Sequence, residues 1–169
     1  MRTGQAFIEE SRRYLSEEYL PKIRRSLEGL TVEDVWWRPN EESNSIGNLI
    51  LHLAGNVRQL VVAGIGSAED LRERQAELDR RSGGSAEQLL DHLGDTLKEV
   101  DEVLAALPAG RLSDPLVIQG LPVTVLRALY HVVEHFSMHT GQIIYLSKLR
   151  SGKDLGFYKV VDGDVETMW

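Results

Sequence analysis

The chain has 169 residues, 19 Lys and Arg against 26 Asp and Glu, a formal net charge of -7, five His and no Cys. The length and the 42% share of hydrophobic residues predict one compact domain spanning residues 1–169. Without Cys there is no disulfide framework, thiolate zinc finger, iron–sulfur cluster or cysteine nucleophile, so a transition metal would need His, Asp or Glu ligands. The acidic balance, with no basic block, argues against nucleic acid and anionic membranes as partners.

No apolar run approaches the roughly 20 residues that cross a bilayer. The start MRTGQAFIEESRRYL also lacks the apolar segment of a signal peptide. These features predict a cytoplasmic protein.

Apolar residues at near-helical spacing predict a first helix from about Gly4 to Gly29, in which Pro21 should cause a kink or a break. Residues 31–43 follow and contain an Arg-Pro-Asn turn signal. We predict a connecting loop there, with Trp36 and Trp37 packed against the helices rather than lining a cleft.

A second helix is predicted from the N-cap residues Asn44 and Ser45 to about Gly64. The next stretch, AEDLRERQAELDRR at 68–81, mixes charges of both signs. It is either a short exposed helix or part of a long connection, and in both cases we expect a solvated surface.

A break at 82–85 should cap a third helix whose leucines form an apolar stripe as far as Leu107. Pro108 to Pro122 is predicted as a second long connection, and Val123 to Arg150 as a fourth, strongly buried helix. The tail 151–169 carries no clear pattern. Four helices without a convincing strand predict an all-α fold, a four-helix bundle with long connections, whose topology the pattern leaves open.

His52 lies on a polar stripe of the second helix that borders its apolar face. At about 100° per residue, four polar residues fall within about 40° of His52. Amides, a hydroxyl and an imidazole suit a partly buried polar cavity better than a solvated face, where Lys and Glu prevail. These neighbours are Ser45, Asn48, Asn56 and Gln59.

The fourth helix carries His131, His135 and His139 at a spacing of four residues, with Gln142 on the same face. Two imidazoles at i and i+4 can bind one metal ion. His131 and His139 lie about 12 Å apart along the helix axis, too far to share an ion. The spacing therefore predicts one adjacent pair as ligands, either of the two pairs, with the remaining His in support. His92 accompanies charged residues and is predicted to be solvated.

Two segments, NSIGNLILHLAGN at 44–56 and HFSMHTGQIIYLSKL at 135–149, resemble the signature regions of the DinB-like (YfiT-like) superfamily. The WWRPN segment resembles the loop that precedes the first histidine of that family. The resemblance implies a four-helix bundle, commonly dimeric, that binds one divalent metal through three histidines.

Carried over by motif, the resemblance implies the ligands His52, His135 and His139. His131 lies before the motif and becomes a supporting residue, while Asn56 and Gln142 could orient a ligand imidazole or bind substrate. Some relatives transfer low-molecular-weight thiols such as bacillithiol or mycothiol. The resemblance identifies no catalytic side chain.

Three neutral imidazoles leave a metal ion an open coordination position, which is typical of a catalytic site. We expect zinc first and nickel next. Our first hypothesis is a metal-dependent transferase that joins a small thiol to an electrophilic small molecule. The alternatives are a hydrolase that uses a metal-bound hydroxide, and a noncatalytic bundle whose histidines satisfy a polar core or bind an incidental metal.

Overall fold

The computed structural model describes residues 2–169 and is mainly helical, as predicted. The α-helices are α1 Arg2–Arg13, α2 Leu20–Leu27, α3 Val32–Trp36, α4 Ile46–Val57, α5 Arg74–Asp79, α6 Ala86–Ala105 and α7 Val125–Ser151. Two π-helical segments, Tyr14–Tyr19 and Arg58–Ile65, extend α1 and α4, and a 3-10 turn covers Ala109–Ser113. The strands are β1 Pro115–Ile118, β2 Leu121–Thr124, β3 Tyr158–Val161 and β4 Asp164–Thr167.

The chain stays helical through Pro21, where we predicted a kink or a break. Pro21 lies in the first turn of α2, directly after the π segment, and the Leu20 N–H donates to the Leu15 carbonyl. A proline lacks the N–H that continues an α-helical ladder, and a wide π turn is a common local adjustment of that ladder. The π turn therefore accommodates Pro21 without ending the helical segment.

The predicted loop at 31–43 contains the short helix α3. Thr31 and Asp34 form a reciprocal capping box at its start, and this pair is the sequence signal for the helix. Trp36 packs into the core as expected, and its Nε1 donates to the Gly84 carbonyl at 3.1 Å. The ring lies on Gly47 of α4, where a Cβ atom would come within 2.9 Å of the ring carbons.

Helix α4 begins after Ser45, as predicted. The Ser45 hydroxyl accepts from the Asn48 N–H at 3.1 Å, and the Asn48 side chain accepts from the Ser45 N–H at 3.1 Å. This capping box is fully buried, so it fixes the entry of the chain into α4 within the protein interior. His52 consequently lies almost two turns inside a firmly anchored helix.

The leucine stripe of α6 is buried as predicted, and Ser85 caps the helix. Helix α7 begins two residues later than predicted, because Val123 and Thr124 belong to β2 and Thr124 caps the helix. Gly152 ends α7 in the left-handed region at φ 65, a conformation that glycine adopts without strain.

The predicted helical character is confirmed, but the chain is not purely α-helical, because two small antiparallel hairpins are present. β1 pairs with β2 in the connection before α7, and β3 pairs with β4 in the tail. Gln119 and Gly120 turn the first hairpin with positive φ angles of 52 and 75. Strands of four residues give too little alternation to be read from the sequence, and the first two of them also contain Pro115 and Pro122.

The long helical segments 2–27 and 46–65 both pack against α6 and α7. The core between them is formed by apolar side chains of all four segments, such as Ile23, Leu53, Leu93 and Phe136. Within residues 2–169 we find no helix with the length and hydropathy needed to cross a membrane.

Candidate metal centre

Three imidazoles meet between α4 and α7. The Nε2 atom of His135 lies 3.2 Å from Nε2 of His52 and 3.1 Å from Nε2 of His139. One nitrogen from each of the three rings lies within 4.8 Å of both others. His52 and His135 are buried, whereas His139 is partly exposed. This cluster could hold a metal ion.

The packing of α4 on α7 selects one of the two histidine pairs on α7. His135 and His139 turn toward His52, while His131 keeps 48% of its side chain exposed. The ring of His131 lies 5.2 Å from that of His135, centroid to centroid, but its nitrogens reach none of the three clustered rings by a hydrogen bond within residues 2–169. His92 is exposed, as predicted.

Two of the clustered rings have hydrogen-bond partners on their outer nitrogens. His139 Nδ1 lies 2.6 Å from Gln142 Oε1, one turn along α7, and His52 Nδ1 lies 3.2 Å from Glu77 Oε2. A carboxylate or amide oxygen can only accept, so each contact requires a proton on Nδ1 and leaves a lone pair on Nε2. Such outer partners orient metal-binding imidazoles in known sites.

Glu77 is held by Arg72. The Arg72 Nε donates to Oε1 at 2.8 Å and Nη2 donates to Oε2 at 2.8 Å, and the two side chains are 4% and 13% exposed. Nη2 also lies 3.1 Å from His52 Nδ1, a contact that would need the opposite tautomer of His52. We assign the proton of Nδ1 to the Glu77 contact, because without it the Nδ1 lone pair would face a carboxylate oxygen at 3.2 Å, whereas Nη2 has its own acceptor in Glu77 Oε2 at 2.8 Å.

The pKa values of the Glu77 carboxyl and of two of the imidazoles are all lowered, for different reasons. Burial alone would raise the pKa of Glu77, but hydrogen bonds from Arg72 and His52 outweigh it and lower that pKa. Burial, followed by the proximity of His139 and His52, lowers the pKa of His135 to about 3. Burial also lowers the pKa of His139, against the opposing hydrogen bond with Gln142. His135 and His139 are therefore neutral at pH 7, the form that binds metals.

The donor set fits a cation. His52 and His139 both direct lone pairs toward Nε2 of His135, and a single proton on that atom cannot serve two acceptors well at these distances. Within residues 2–169, His135 Nδ1 is buried without a hydrogen-bond partner, so neither tautomer of His135 satisfies both of its nitrogens. A positive ion between the three Nε2 atoms would satisfy all three lone pairs at once.

Two of the other polar residues on the predicted stripe bind the segment that lies over α4. Asn48 binds the backbone of α5, and Gln59 accepts from Arg72 Nη1 at 2.9 Å. Asn56 is buried one turn after His52, and its Oδ1 lacks a hydrogen-bond partner among the described residues. A role for Asn56 in orienting an imidazole or binding substrate stays a prediction. Gln142 is exposed and contacts His139 as described above.

Arg72 and Glu77 are the site residues that sequence reasoning missed. We expected 68–81 to be a solvated surface, yet these two side chains turn inward against His52. The charge alternation of the stretch gives no hint of this. An indirect signal was available on α4, where Asn48 and Gln59 provide hydrogen bonds for a polar segment lying over them.

A groove of about 680 Å³ runs along the outer side of the Glu77–Arg72 pair, between α4, the 70–80 segment and α6. The three clustered imidazoles do not line it. Glu77 and Arg72 line the groove and also contact His52, and among the three clustered rings His139 is the partly exposed one. The lining residues include Leu51, Gly55, Arg58, Arg72, Glu77 and Thr96.

Comparisons with known proteins agree with this architecture. A family model described as "Protein of unknown function (DUF1572)" matches residues 2–163. The fold is similar to that of a conserved protein from Enterococcus faecalis, with a TM-score of 0.73 and 20% identity over 86% of this chain and 97% of that one. It is also similar to a DinB-like protein from Bacillus cereus, with a TM-score of 0.67 and 19% identity over 88% of this chain and 93% of that one. No curated protein matches the sequence.

Proposed function

The chain belongs to the DUF1572 family of DinB-like proteins, and from that premise we propose a metal-dependent enzyme whose ion is bound by His52, His135 and His139. The observation that carries the proposal is the convergence of three Nε2 atoms, two of them on rings whose Nδ1 faces an acceptor. We also propose that the segments 2–27 and 46–65, with α6 and α7, are the helices of a DinB-type four-helix bundle.

A divalent ion held by three neutral imidazoles keeps its full charge and, when bound, lowers the pKa of a coordinated water or thiol. The chain's own contribution is to hold the rings. Glu77 and Gln142 fix the outer nitrogens of His52 and His139, and burial keeps His135 unprotonated. The partial exposure of His139 leaves one side of the cluster open to a small molecule.

The reaction that we propose is transfer of a low-molecular-weight thiol to an electrophilic small molecule. A sulfur–carbon bond forms, the leaving group departs from the electrophile, and the thiol proton passes to solvent. The chain contains no Cys, so the sulfur must belong to a cosubstrate. The DinB-like resemblance supports this reaction, because some members of that family transfer such thiols.

We propose zinc as the resident ion, with nickel next. Imidazole ligands suit both metals, and zinc is the commoner ion in sites built from His. Elemental analysis of protein purified without a nickel column tests the choice. Stoichiometric zinc would support the choice of zinc. Stoichiometric nickel, iron or copper would contradict it and identify the resident ion instead.

We propose a homodimer formed through the exposed face of α7. Five large apolar side chains are at least two-fifths exposed there, more than a solvated helix normally carries. Tyr145→Glu should give a monomer by size-exclusion chromatography with light scattering, and Tyr158→Glu on β3 is the matched exposed control. A monomeric wild-type chain would contradict the proposal. The five residues are Leu126, Tyr130, Met138, Tyr145 and Leu149.

The activity is tested by incubating a generic electrophile such as a chlorodinitrobenzene with the protein and, in turn, glutathione, cysteine, coenzyme A and bacillithiol. Turnover with one thiol that disappears on chelation and in His135→Ala supports the transferase. Full activity after either treatment overturns the metal-dependent reaction. Turnover of ester or amide substrates without added thiol would favour the hydrolase, and absence of stoichiometric metal would favour a noncatalytic bundle.

A further inference from the structure

Helix α4 has a gap in its side-chain surface at Gly55, and the Glu77–Arg72 pair fills it. A Cβ atom at Gly55 would overlap Oε1 of Glu77, and it would lie 2.8 Å from Cδ of Glu77 and 3.1 Å from Nε of Arg72. Real Cβ atoms essentially never come within 3.0 Å of another atom, so the two contacts with Glu77 could not persist. Any side chain at position 55 would therefore displace the carboxylate that contacts His52, three residues earlier on the same helix.

Side chains of α4 and of the loop before it hold the backbone that carries Glu77. Asn48 Nδ2 donates to the carbonyls of Glu77 and Arg80 at 2.8 and 2.9 Å. Arg38 Nη2 donates to the Leu78 carbonyl at 2.7 Å. Because Asn48 is fully buried, α5 is anchored at its C-terminal end and its position does not depend on surface charges alone.

Arg72 holds the Glu77 carboxylate. Both oxygens accept from one guanidinium, a paired geometry that is stronger and more directional than a single ion contact. The remaining end of that guanidinium donates to Gln59 Oε1, which also accepts from Gln119 at the tip of the β1–β2 hairpin. Of the two carboxylate oxygens, Oε2 also faces His52 Nδ1, at 3.2 Å.

We propose that Glu77 is a positioning residue for His52, that Arg72 holds Glu77 in place, and that position 55 is glycine in order to admit this pair. The inference rests on the proposed metal site and adds a segment to it, the 72–77 part of the connection. Glu77 keeps the proton of His52 on Nδ1, so that the Nε2 lone pair is directed at the ion.

Loss of an outer partner of a metal-binding histidine commonly weakens metal binding about 10–100-fold. We therefore expect Glu77→Ala to weaken zinc binding by about that factor, and Glu77→Gln, which keeps an accepting oxygen, by less. Gly55→Ala should weaken zinc binding in the same direction while leaving the metal-free protein folded, because the displaced group is the flexible end of Glu77.

The experiment measures the zinc dissociation constant by competition with a chromophoric chelator, and the tautomer of His52 by imidazole nitrogen NMR of the metal-free protein. Gly94→Ala on α6 is the matched control for Gly55→Ala, since a Cβ at Gly94 meets nothing within 4 Å. Glu73→Gln is the matched control for Glu77→Gln, since Glu73 is exposed on the same segment.

The expected result is weaker zinc binding in Glu77→Ala and Gly55→Ala, wild-type binding in both controls, and a wild-type His52 with its proton on Nδ1. Wild-type zinc binding in Glu77→Ala and Gly55→Ala, with binding lost in His52→Ala, would overturn the inference and leave the metal site standing. Wild-type binding in His52→Ala and His135→Ala would overturn the metal site itself. If a variant fails to fold, the wild-type tautomer decides, since a proton on Nε2 of His52 contradicts the role of Glu77.

Discussion

The Nε2 atoms of His52 and His135 lie 3.2 Å apart although 83 positions separate the two residues along the chain. The contact exists only where α4 packs on α7, so the candidate site is absent from the unfolded chain. Binding energy at such a site is also folding energy.

Zinc should therefore stabilise the protein against thermal unfolding. At a free zinc concentration of about 100 times the dissociation constant, the free energy of unfolding should rise by about 2.7 kcal/mol. Differential scanning calorimetry with zinc and with a chelator measures the shift. His52→Ala should remove it, and an equal shift in that variant would show that zinc binds elsewhere.

Acid should destabilise the metal-free protein through His135. The pKa of His135 is about 3 in the folded chain against 6.5 for a free side chain. Between these pH values the unfolded state binds a proton at His135 and the folded state does not. The free energy of unfolding should fall as the pH drops from 6.5 toward 3, by up to about 1.4 kcal/mol per pH unit, with no such loss above 6.5. Urea unfolding at several pH values checks this.

His135→Gln is the comparison for that measurement. Removing the titrating group should flatten the dependence between pH 6.5 and pH 3, whatever the variant does to stability at neutral pH. An unchanged slope would mean that His135 is not held neutral by its surroundings.

Gly47→Ala should destabilise the protein by about 1–3 kcal/mol, because overpacking a closed contact forces side chains or backbone to shift. The Trp36 ring that blocks the new methyl group cannot swing away freely, since its Nε1 is bonded to the Gly84 carbonyl. Gly94→Ala, with open space at its Cβ, should instead stabilise α6 by about 0.5–1 kcal/mol. Urea unfolding of both variants decides, and equal effects would contradict the packing of Trp36 on α4.

Asn48→Ala should loosen α5. The variant leaves the carbonyls of Glu77 and Arg80 without their buried donor, at a cost of about 1–3 kcal/mol. Amide hydrogen exchange over residues 74–81 should become faster than in the wild type. Gln75→Ala, an exposed residue on the same helix, should change neither quantity, and protection unaffected by Asn48→Ala would argue against the anchoring role.

Much of the site could be predicted from the sequence, because helical periodicity is a local property. The spacing of His135 and His139 places both rings on one face of α7, and the amides beside His52 mark a polar face of α4. The choice between the two histidine pairs on α7 came from the resemblance to DinB-like proteins. In the structure it depends on how α7 lies against α4, and no local pattern encodes that.

The remaining features depend on tertiary contacts. In the sequence, Arg72 and Glu77 have the pattern of surface charges. They form a buried ion pair in the structure because Asn48 anchors the backbone of α5 on α4. The hairpins escaped prediction because each strand has four residues and one contains Pro122 in its interior. The π segment before Pro21 escaped it because proline predicts a disturbance of the helix but not its form.

The most direct test of the metal centre is the metal content of protein purified without a nickel column. The wild type should hold about one divalent ion per chain, as a three-histidine site does. His52→Ala, His135→Ala and His139→Ala should each lose it, and His131→Ala should retain it. Metal lost in His131→Ala but retained in His52→Ala would contradict the assignment of the three ligands.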